Sequence, residues 1–433
     1  YYLVSIYVNQ GRLRADQMGE GLLDYVLLGK GDPEVVSRTS GVDRGTLEEM
    51  RLDVDYWYPL DVNLGGKEHM TVHFPAFLMN HVAIMPEKHF PQGIFVNWYV
   101  IGKGGKISKS KGGAQPIPGA AERYGVDTLR LYYSHIASPF ADVEWDEESV
   151  ESYMAKMERI PKTVEEMKNH ICKGDLDDID RWLVSRVNSR ILAVRKAMQD
   201  YDLRFLANEA YFEMYNDLRW YARRGGCNGD ATKRTIDAWV RMMAPITPHM
   251  AEELWERIGG EGFVSLAPFP ERIDEELDVR VEQAEDYLKG VLADVNEILK
   301  VTGIKARSVY LYTSSAWKKS VYDAGLRMAR GKELSVPALT KAVMAEPTIR
   351  AKGKEASEFA RKVAEDLVKR SPQEVDRISA EFDELRYLRN AASFLTSELG
   401  CDVFVFSADD PDIVDPQRKA RAAQPRRPAI FVE

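Results

Sequence analysis

Residues 93–110 read GIFVNWYVIGKGGKISKS, and this stretch decides the expected fold. Its first part, residues 93–100, predicts a buried β-strand, because short apolar runs rich in branched and aromatic side chains suit a covered strand. A glycine-rich loop follows, and residues 120–133 then have the pattern of a helix. Strand, loop and helix in this order indicate an α/β arrangement, in which ligands bind at the carboxyl ends of the strands.

The loop after this strand carries the chemistry. Lys106 and Lys109 alternate with Ser108 and Ser110, and five glycines flank them between positions 102 and 113. Lysine supplies a compact positive charge, serine supplies a hydroxyl donor, and glycine lets backbone amides approach a ligand closely. This combination suits a polyphosphate whose negative charge grows as a bond breaks. The ordinary alternative is a solvated turn without a ligand, so the surrounding sequence has to decide.

The bulk composition sets limits on the class of protein. At about 150 residues per domain, the 433 residues indicate roughly three domains. No run of about 18 apolar residues occurs, so no membrane span is expected. The three cysteines, Cys172, Cys227 and Cys401, lie far apart without a CxxC pair, which argues against a disulfide framework or a zinc site and favours a reducing cytosol. The net charge of −9 argues only weakly against a nucleic-acid partner, because local basic patches matter more than the total.

The expected domains are residues 1–147, 148–270 and 271–433. The first is an α/β unit, the second a helical bundle, and the third a small α+β unit with strands at 309–312 and 403–406. Apolar and aromatic side chains recur every three or four residues in the bundle and are expected in its core. They include Trp182, Leu183, Val187, Ile191, Phe205, Leu206, Tyr211, Phe212, Tyr215, Leu218 and Tyr221.

Two groups of basic residues are candidate phosphate contacts. Arg186, Arg190 and Arg195 can share one face of the first long helix of the bundle. Basic side chains that neutralise phosphates dominate binding to nucleic acids. The alternative, for these arginines and for the second group, is a solvated surface with no partner. The second group lies near the C-terminus and comprises Arg418, Lys419, Arg421, Arg426 and Arg427.

The order KISKS resembles the KMSKS loop of class I aminoacyl-tRNA synthetases, with Ile107 in place of methionine. The resemblance implies that Lys106 and Lys109 are the catalytic cations, placed beside the β- and γ-phosphates of ATP. It also implies a set of ATP contacts along the loop: Lys106, Ile107, Ser108, Lys109 and Ser110.

A second element of the same family lies upstream. Residues 65–73, GGKEHMTVH, are similar to the family's G-x-D-x-x-x-x-H element. The resemblance implies that Gly66, Glu68 and His73 bind ATP near its ribose, and that Asn97 belongs to the strand on the adenine side. A carboxylate that accepts two ribose hydroxyls makes charge-assisted hydrogen bonds. Glu68 stands where the family has the shorter aspartate.

Four segments narrow the resemblance to leucine-specific synthetases of the archaeal and eukaryotic cytosolic type. They are DYVLLGKGD at 24–32, YWYPLD at 56–61, FLMNHVAI at 77–84 and RPAIFVE at 427–433. Isoleucine and valine enzymes would carry a DQxRGWF-like run after the ribose element, and this sequence does not. The first and last segments also set this chain apart from methionine enzymes.

The resemblance further implies contacts with tRNA(Leu). In this family the C-terminal domain recognises the long variable arm of the tRNA, and the helical domain can contact its stem. The expectation is that deleting residues 425–433 weakens aminoacylation and spares adenylate formation. The implied tRNA-binding residues are Arg186, Arg190, Arg418, Lys419, Arg426, Arg427, Val432 and Glu433.

The implied reaction is ATP-dependent activation of leucine to leucyl-adenylate, followed by transfer to tRNA(Leu), with Mg²⁺ arriving on ATP and no dedicated metal site. No H-x-G-H motif occurs, and the family's long editing insertion is missing. We therefore expect the C-terminal half of a cytoplasmic synthetase, with residues 1–50 re-entering the catalytic fold. The start at Tyr1 agrees with a cut inside a longer protein. Activity would require the missing N-terminal half; the alternative is a catalytically inactive tRNA-binding module or paralogue.

Overall fold

The computed structural model describes residues 2–102, 105–106, 117–137 and 141–433. Ile107, Ser108, Lys109 and Ser110 lie outside these residues, as does the side chain of Lys106, so their ATP contacts stay predictions. The chain forms two compact units that meet in sequence between residues 153 and 154.

The first unit begins with four helices packed around a shared core. Gly29 takes a left-handed conformation that ends the second helix, and the Asp32 carboxylate accepts a hydrogen bond from Glu34 N (2.8 Å) to begin the third. Tyr7, Leu47 and Val54 are fully buried in this core. The helices are α1 (Tyr2–Asn9), α2 (Glu20–Leu28), α3 (Pro33–Ser40) and α4 (Arg44–Trp57).

The remainder of the first unit is α/β. Strands β1 and β2 are parallel and joined through α5, whereas β3 pairs in parallel with β5 and antiparallel with β4. The predicted strand at 93–100 is divided between these two sheets, because Tyr99 O already accepts a hydrogen bond from Val143 N at the start of β5. The elements are β1 (Asn63–Gly66), α5 (His73–Ile84), β2 (Ile94–Asn97), β3 (Val100–Gly102), β4 (Gly105–Lys106) and β5 (Val143–Trp145).

The predicted helix at 120–133 is two helices, α6 (Ile117–Tyr124) and α7 (Val126–Ile136). Gly125 separates them with φ +81°, a conformation that L-residues with a side chain rarely adopt. The break lets each helix bury its own face, with Tyr124 and Tyr132 in the interior.

The second unit starts as a helical bundle. Trp182 and Tyr221 are completely buried, as the periodicity predicts, and so is Trp239, but Phe205 remains 42% exposed. A π-helical segment, Asn208–Glu213, connects two of the helices without a break. The bundle helices are α8 (Glu147–Asn169, which starts in the first unit), α9 (Asp178–Gln199), α10 (Leu203–Ala207), α11 (Met214–Arg223), α12 (Gly229–Met243) and α13 (Pro248–Arg257).

The C-terminal part of this unit surrounds a three-stranded sheet. The predicted strands at 309–312 and 403–406 are confirmed as the parallel pair β6 (Ser308–Thr313) and β7 (Asp402–Ser407). β8 (Ala429–Val432) pairs antiparallel with β6. The helices are α14 (Val279–Thr302), α15 (Ala316–Arg330), α16 (Val336–Met344), α17 (Pro347–Arg350), α18 (Lys354–Val368), α19 (Pro372–Ile378), α20 (Glu384–Asn390) and α21 (Ala392–Leu399).

The expected boundary at residue 270 does not separate compact units. Helix α14 packs along α9, and Ser185 Oγ donates a hydrogen bond of 2.6 Å to Glu282 Oε1. Ser185 Oγ also accepts from Asp278 N at 3.0 Å, which fixes the start of α14 on the bundle. Residues 148–270 and 271–433 are therefore joined by a buried polar contact as well as by apolar packing.

The expectation of no disulfide is wrong. Cys172 and Cys227 form one, with their Cα atoms 5.2 Å apart, whereas Cys401 is a free, buried cysteine. Their separation of 55 residues hid the pairing, because sequence distance says nothing about proximity between loops. Within the residues that the structure describes, no helix combines the length and apolarity that crossing a membrane requires.

Candidate functional site

The predicted ATP-binding residues of the first unit meet where β1 and β2 end. Gly66 and Asn97 are register partners at the carboxyl ends of these parallel strands. Asn97 is exposed there, as ligand-facing residues of an α/β edge are expected to be. The structure thus brings together two residues that lie 31 positions apart in the sequence.

Glu68 lies directly beside Gly66. A Cβ atom added to Gly66 would come within 2.7 Å of Glu68 Oε2, so only glycine leaves the carboxylate in this place. The Glu68 side chain is 57% exposed, and its Oε1 lies 3.8 Å from His69 Nδ1. An exposed carboxylate at a strand end can accept hydrogen bonds from a diol, and this agrees with the predicted ribose contact.

His73 begins α5 on the same side and is exposed. Its ring contacts that of His69, with centroids 5.6 Å apart. His69 was not predicted, yet its Nδ1 accepts a hydrogen bond from Gly66 N at 3.1 Å. His69 therefore ties the glycine, the turn and the start of α5 together. The signal available in the sequence was the concentration of four of the seven histidines between positions 69 and 89.

A second residue that the sequence reasoning missed is Lys67. Its ammonium lies 3.5 Å from the ring centroid of Trp98, the residue after Asn97. This cation–π contact places a positive charge at the ends of both strands. Because the contact joins two strands, sequence spacing alone could not show it.

The position of α5 is fixed by a half-buried hydrogen-bonded pair, Tyr58 and His81. His81 Nδ1 lies 2.7 Å from Phe77 O, which can only accept, so Nδ1 carries the proton and Nε2 accepts from Tyr58 Oη at 2.9 Å. Burial raises the pKa of Tyr58. Through this pair the end of α4 holds the helix that carries His73.

His89 is a buried histidine of the first unit. Its side chain is 3% exposed, its Nε2 lies 3.6 Å from Asp55, and its buried Nδ1 has no partner among the residues that the structure describes. Burial lowers the pKa of His89, with further lowering by Lys88 and Arg51 that Asp55 opposes. The folded state therefore takes up a proton less readily than the unfolded chain, whose histidine titrates near 6.5.

We expect the contribution of His89 to the free energy of unfolding to be fully present above pH 6.5. As the pH falls below this value, the free energy of unfolding should decrease by at most about 1.4 kcal/mol per pH unit for one proton. Thermal unfolding between pH 8 and pH 5 measures the slope, which His89→Gln should reduce. His249→Gln, an exposed histidine of the second unit, is the matched control. An unchanged slope in His89→Gln would contradict this assignment.

Two of the arginines predicted to form a phosphate-facing stripe on α9, Arg186 and Arg190, lie in ion pairs in the structure. Arg190 is only 7% exposed and forms ion pairs with Glu209, with Glu213 at 3.0 Å and with Asp217 at 3.0 Å. Burial alone would lower the pKa of Arg190, but Asp217 and Glu209 outweigh it and raise the pKa. A guanidinium enclosed by three carboxylates holds helices together and is not presented to a phosphate.

Arg186 belongs to the same buried network. It lies 3.3 Å from Asp217 and 3.4 Å from Glu282 on α14. The helical periodicity correctly placed Arg186 and Arg190 on one face, but that face is the one turned inward.

The C-terminal basic residues divide into two groups. Arg418, Lys419 and Arg427 are exposed. The guanidinium of Arg426 instead stacks over the Phe382 ring at 4.0 Å, donates to Ala380 O, and has its pKa lowered by burial. Arg426 therefore has a structural position that the sequence did not indicate.

The segment 415–423, here called the basic loop, is held in a fixed shape. The Asp415 carboxylate accepts from Lys419 N and Ala420 N, both at 2.8 Å. From beneath, the buried Lys318 ammonium donates to Arg421 O at 2.6 Å and to Ala423 O at 3.0 Å. The backbone that carries the exposed cations of this loop is thus held by hydrogen bonds.

The last residues of the chain, which include the predicted tRNA contacts Val432 and Glu433, belong to the sheet. Val432 is paired with Val309 in the sheet, and Glu433 exchanges backbone hydrogen bonds with Ser308, N to O at 2.9 Å and O to N at 3.0 Å. The last residues are therefore an edge strand whose loss would uncover β6.

Comparison with known proteins gives two family matches. A model described as the class I tRNA synthetases (M) matches residues 62–175, which include the strand ends. A model described as the anticodon-binding domain of tRNA ligase matches residues 180–311. The second match continues through α14, in agreement with the packing of that helix on the bundle.

Individual relatives match along the whole chain. The leucine–tRNA ligase of Methanothrix thermoacetophila is 37% identical over 442 residues, covering 100% of this chain and 45% of the relative. That of Pyrococcus furiosus is 35% identical over 448 residues, covering 100% and 44%. A solved LeuRS–tRNA–LeuAMS complex from Agrobacterium radiobacter K84 is 18% identical, with a TM-score of 0.45, over 68% of this chain and 35% of that one. The chain spans less than half the length of the curated relatives it matches.

Proposed function

We propose that this chain, which belongs to the leucine–tRNA ligase family, supplies the ATP-binding edge and the tRNA-binding domains of a leucine–tRNA ligase. The complete enzyme would activate leucine with ATP and transfer it to tRNA(Leu). The observation that carries the proposal is the meeting of Gly66, Glu68 and Asn97 at the ends of two parallel strands, within a chain similar to these ligases throughout.

ATP is proposed to bind with its ribose at Glu68 and its phosphates towards the KISKS loop. Glu68 accepts the ribose hydroxyls, while His69 and His73 border the same edge. Adenylate formation requires in-line attack of the leucine carboxylate on the α-phosphorus and neutralisation of the charge on the departing pyrophosphate. Lys106 and Lys109 supply that charge in this proposal, Ser108 and Ser110 supply hydroxyl donors, and Mg²⁺ enters with ATP.

The remaining part of the ligase is proposed as the partner that completes this edge. The helix α5 and the strand β1 expose Leu64, Met79 and Val82, each more than 60% accessible. Large apolar side chains collected on one element and its neighbouring strand are typical of a covered surface. The relatives are more than twice as long as this chain. The portion of the ligase that corresponds to the rest of their length is proposed to cover these apolar side chains and to bind most of the leucine.

The tRNA is proposed to contact the helical bundle and the basic loop. Arg418, Lys419, Arg421 and Arg427 are exposed cations of this region and are the proposed phosphate contacts. Arg186, Arg190 and Arg426 have protein partners and are left out of this proposal. RNA arms are recognised through shape and phosphates, for which a preformed loop is suited. A cytoplasmic location remains part of this proposal.

Replacing Lys419 and Arg427 together by alanine is expected to weaken tRNA(Leu) binding by about tenfold and to lower the slope of log affinity against log salt by about 2, since each phosphate contact contributes about 1. Filter binding at several salt concentrations measures both. Lys341→Ala with Lys352→Ala, two exposed lysines of the same unit, is the control. These substitutions are preferable to deleting residues 425–433, because that deletion would remove β8. Unchanged affinity in the first variant would contradict the proposed tRNA surface.

A catalytically inactive tRNA-binding module is the second candidate. Two observations favour it: the sequence has no H-x-G-H motif, and the anticodon-binding match lies wholly within the second unit. The two candidates differ in leucine-dependent exchange of pyrophosphate into ATP, which only a ligase supports once its remaining part is supplied.

A further inference from the structure

The disulfide between Cys172 and Cys227 connects two loops of the bundle. Cys172 lies in the segment between α8 and α9, and Cys227 lies in the loop between α11 and α12. Cys172 is an exposed residue and Cys227 is partly exposed. Exposed disulfides are the ones that thiols reduce readily, in contrast to buried structural bridges.

The two loops are also held together by hydrogen bonds. Cys172 N donates to Cys227 O at 2.6 Å, and Gly229 N donates to Cys172 O at 3.1 Å. Asn228 Nδ2 donates to Gly174 O at 3.0 Å. After reduction these bonds keep the two thiols adjacent, so the effective concentration of one thiol at the other stays high. Formation of the bridge within the chain is thus favoured over formation of a separate small-thiol adduct on each cysteine.

A cavity of about 300 Å³ lies beside the bridge. His170 and Gly226, which precede the two cysteines, line it together with Tyr215 and Arg219. A Cβ atom on Gly226 would come within 2.1 Å of the Tyr221 ring, so the loop that carries Cys227 is pressed against the bundle. Opening the bridge releases a covalent restraint from the segments that carry His170 and Gly226.

We propose that Cys172 and Cys227 form a redox modification site whose oxidant is a low-molecular-weight disulfide such as glutathione disulfide. The Cys172 thiolate attacks one sulfur of the small disulfide, forming a mixed disulfide and expelling one small thiolate. The Cys227 thiolate then attacks the Cys172 sulfur and expels the second. The dithiol loses two protons and two electrons, and the small disulfide becomes two thiols. The oxidised form fastens the α8–α9 segment to the α11–α12 loop.

The experiment uses the full chain equilibrated in glutathione buffers of increasing oxidised fraction. We expect mass spectrometry to show an intramolecular bridge and no stable glutathione adduct on the wild-type chain, and a rise of several degrees in the unfolding temperature on oxidation. Hydrogen exchange in residues 170–177 and 224–230 should slow in the oxidised form. Cys172→Ser should retain the fold, carry one glutathione on Cys227 and lose the redox-dependent shift.

Cys401→Ser is the matched control, because Cys401 is buried and unpaired, and this variant should behave as the wild type. Two glutathione adducts on the wild-type chain, or equal unfolding temperatures and exchange rates in both redox states, would overturn the proposal. The mass of the glutathione adduct on Cys172→Ser reports the loss of the same bond without a stability measurement. The test therefore remains decisive even if one variant is destabilised.

Discussion

Glu285→Ala is expected to lower the free energy of unfolding of the second unit by about 3–5 kcal/mol, the cost typical of removing one partner from a buried ion pair. The Glu285 side chain is completely buried. It accepts hydrogen bonds from Trp220 Nε1 at 2.7 Å, from Arg224 Nη2 at 3.0 Å and from Tyr387 Oη at 2.5 Å. One carboxylate therefore links α11, α14 and α20.

The large effect follows from what the substitution leaves behind. Burial by itself lowers the pKa of Arg224, but Glu285 and Tyr387 together outweigh it and raise the pKa. Without Glu285 the guanidinium stays enclosed against the Phe394 ring, 4.5 Å away, with its compensating charge removed. Trp220 and Tyr387 also lose their acceptor, and unmade buried hydrogen bonds cost about 1–3 kcal/mol each before the structure relaxes.

Asp286→Ala provides the comparison, because Asp286 is the next residue on α14 and pairs with Arg377 at 2.7 Å on the surface. Exposed pairs contribute about 0–1 kcal/mol, so this variant should unfold almost as the wild type does. Chemical denaturation followed by tryptophan fluorescence measures both variants. Equal stabilities for the two would show that Glu285 does not organise the second unit.

Lys109→Ala in the complete enzyme is expected to slow adenylate formation by about 10²–10³, the usual cost of losing one contact aimed at developing charge. The lysine is proposed to act on the departing pyrophosphate, so the ground-state affinity for leucine should change little. ATP–pyrophosphate exchange and equilibrium leucine binding, measured on the same preparation, separate the two effects.

Lys30→Ala is the control for this variant, since it removes an exposed lysine of the same unit far from the loop in sequence. It should leave exchange at the wild-type rate. Near-normal exchange in Lys109→Ala would remove the lysine from the proposed mechanism, and parallel loss of leucine binding would indicate a general structural defect.

Local sequence patterns predicted this fold well where the deciding contacts are local. The strands at 309–312 and 403–406 were recognisable from short runs of branched and aromatic residues. The spacing from Gly66 to Glu68 placed that carboxylate beside the strand end, because two residues of a tight turn cannot separate far. The break between α6 and α7 at Gly125 was not predicted, because the helical spacing of apolar residues continues through this position. The positive φ of Gly125 ends the first helix all the same.

Contacts between distant segments could not be predicted in the same way. Periodicity showed that Arg186 and Arg190 share a face, but the carboxylates that enclose Arg190 come 19 to 27 residues later. Lys67 reached Trp98 only because β1 and β2 pair in parallel, and Cys172 met Cys227 across 55 residues. Each of these depends on how elements assemble, which one sequence without relatives does not reveal.

The most direct test of the proposed ligase function is leucine-dependent exchange of pyrophosphate into ATP by this chain combined with the N-terminal portion of the Methanothrix thermoacetophila ligase. We expect that neither part alone supports exchange, that the mixture does so with leucine, and that isoleucine and valine support far less. Absence of leucine-dependent exchange in a mixture shown by sedimentation to have associated would contradict this expectation, and the chain would then be a tRNA-binding module.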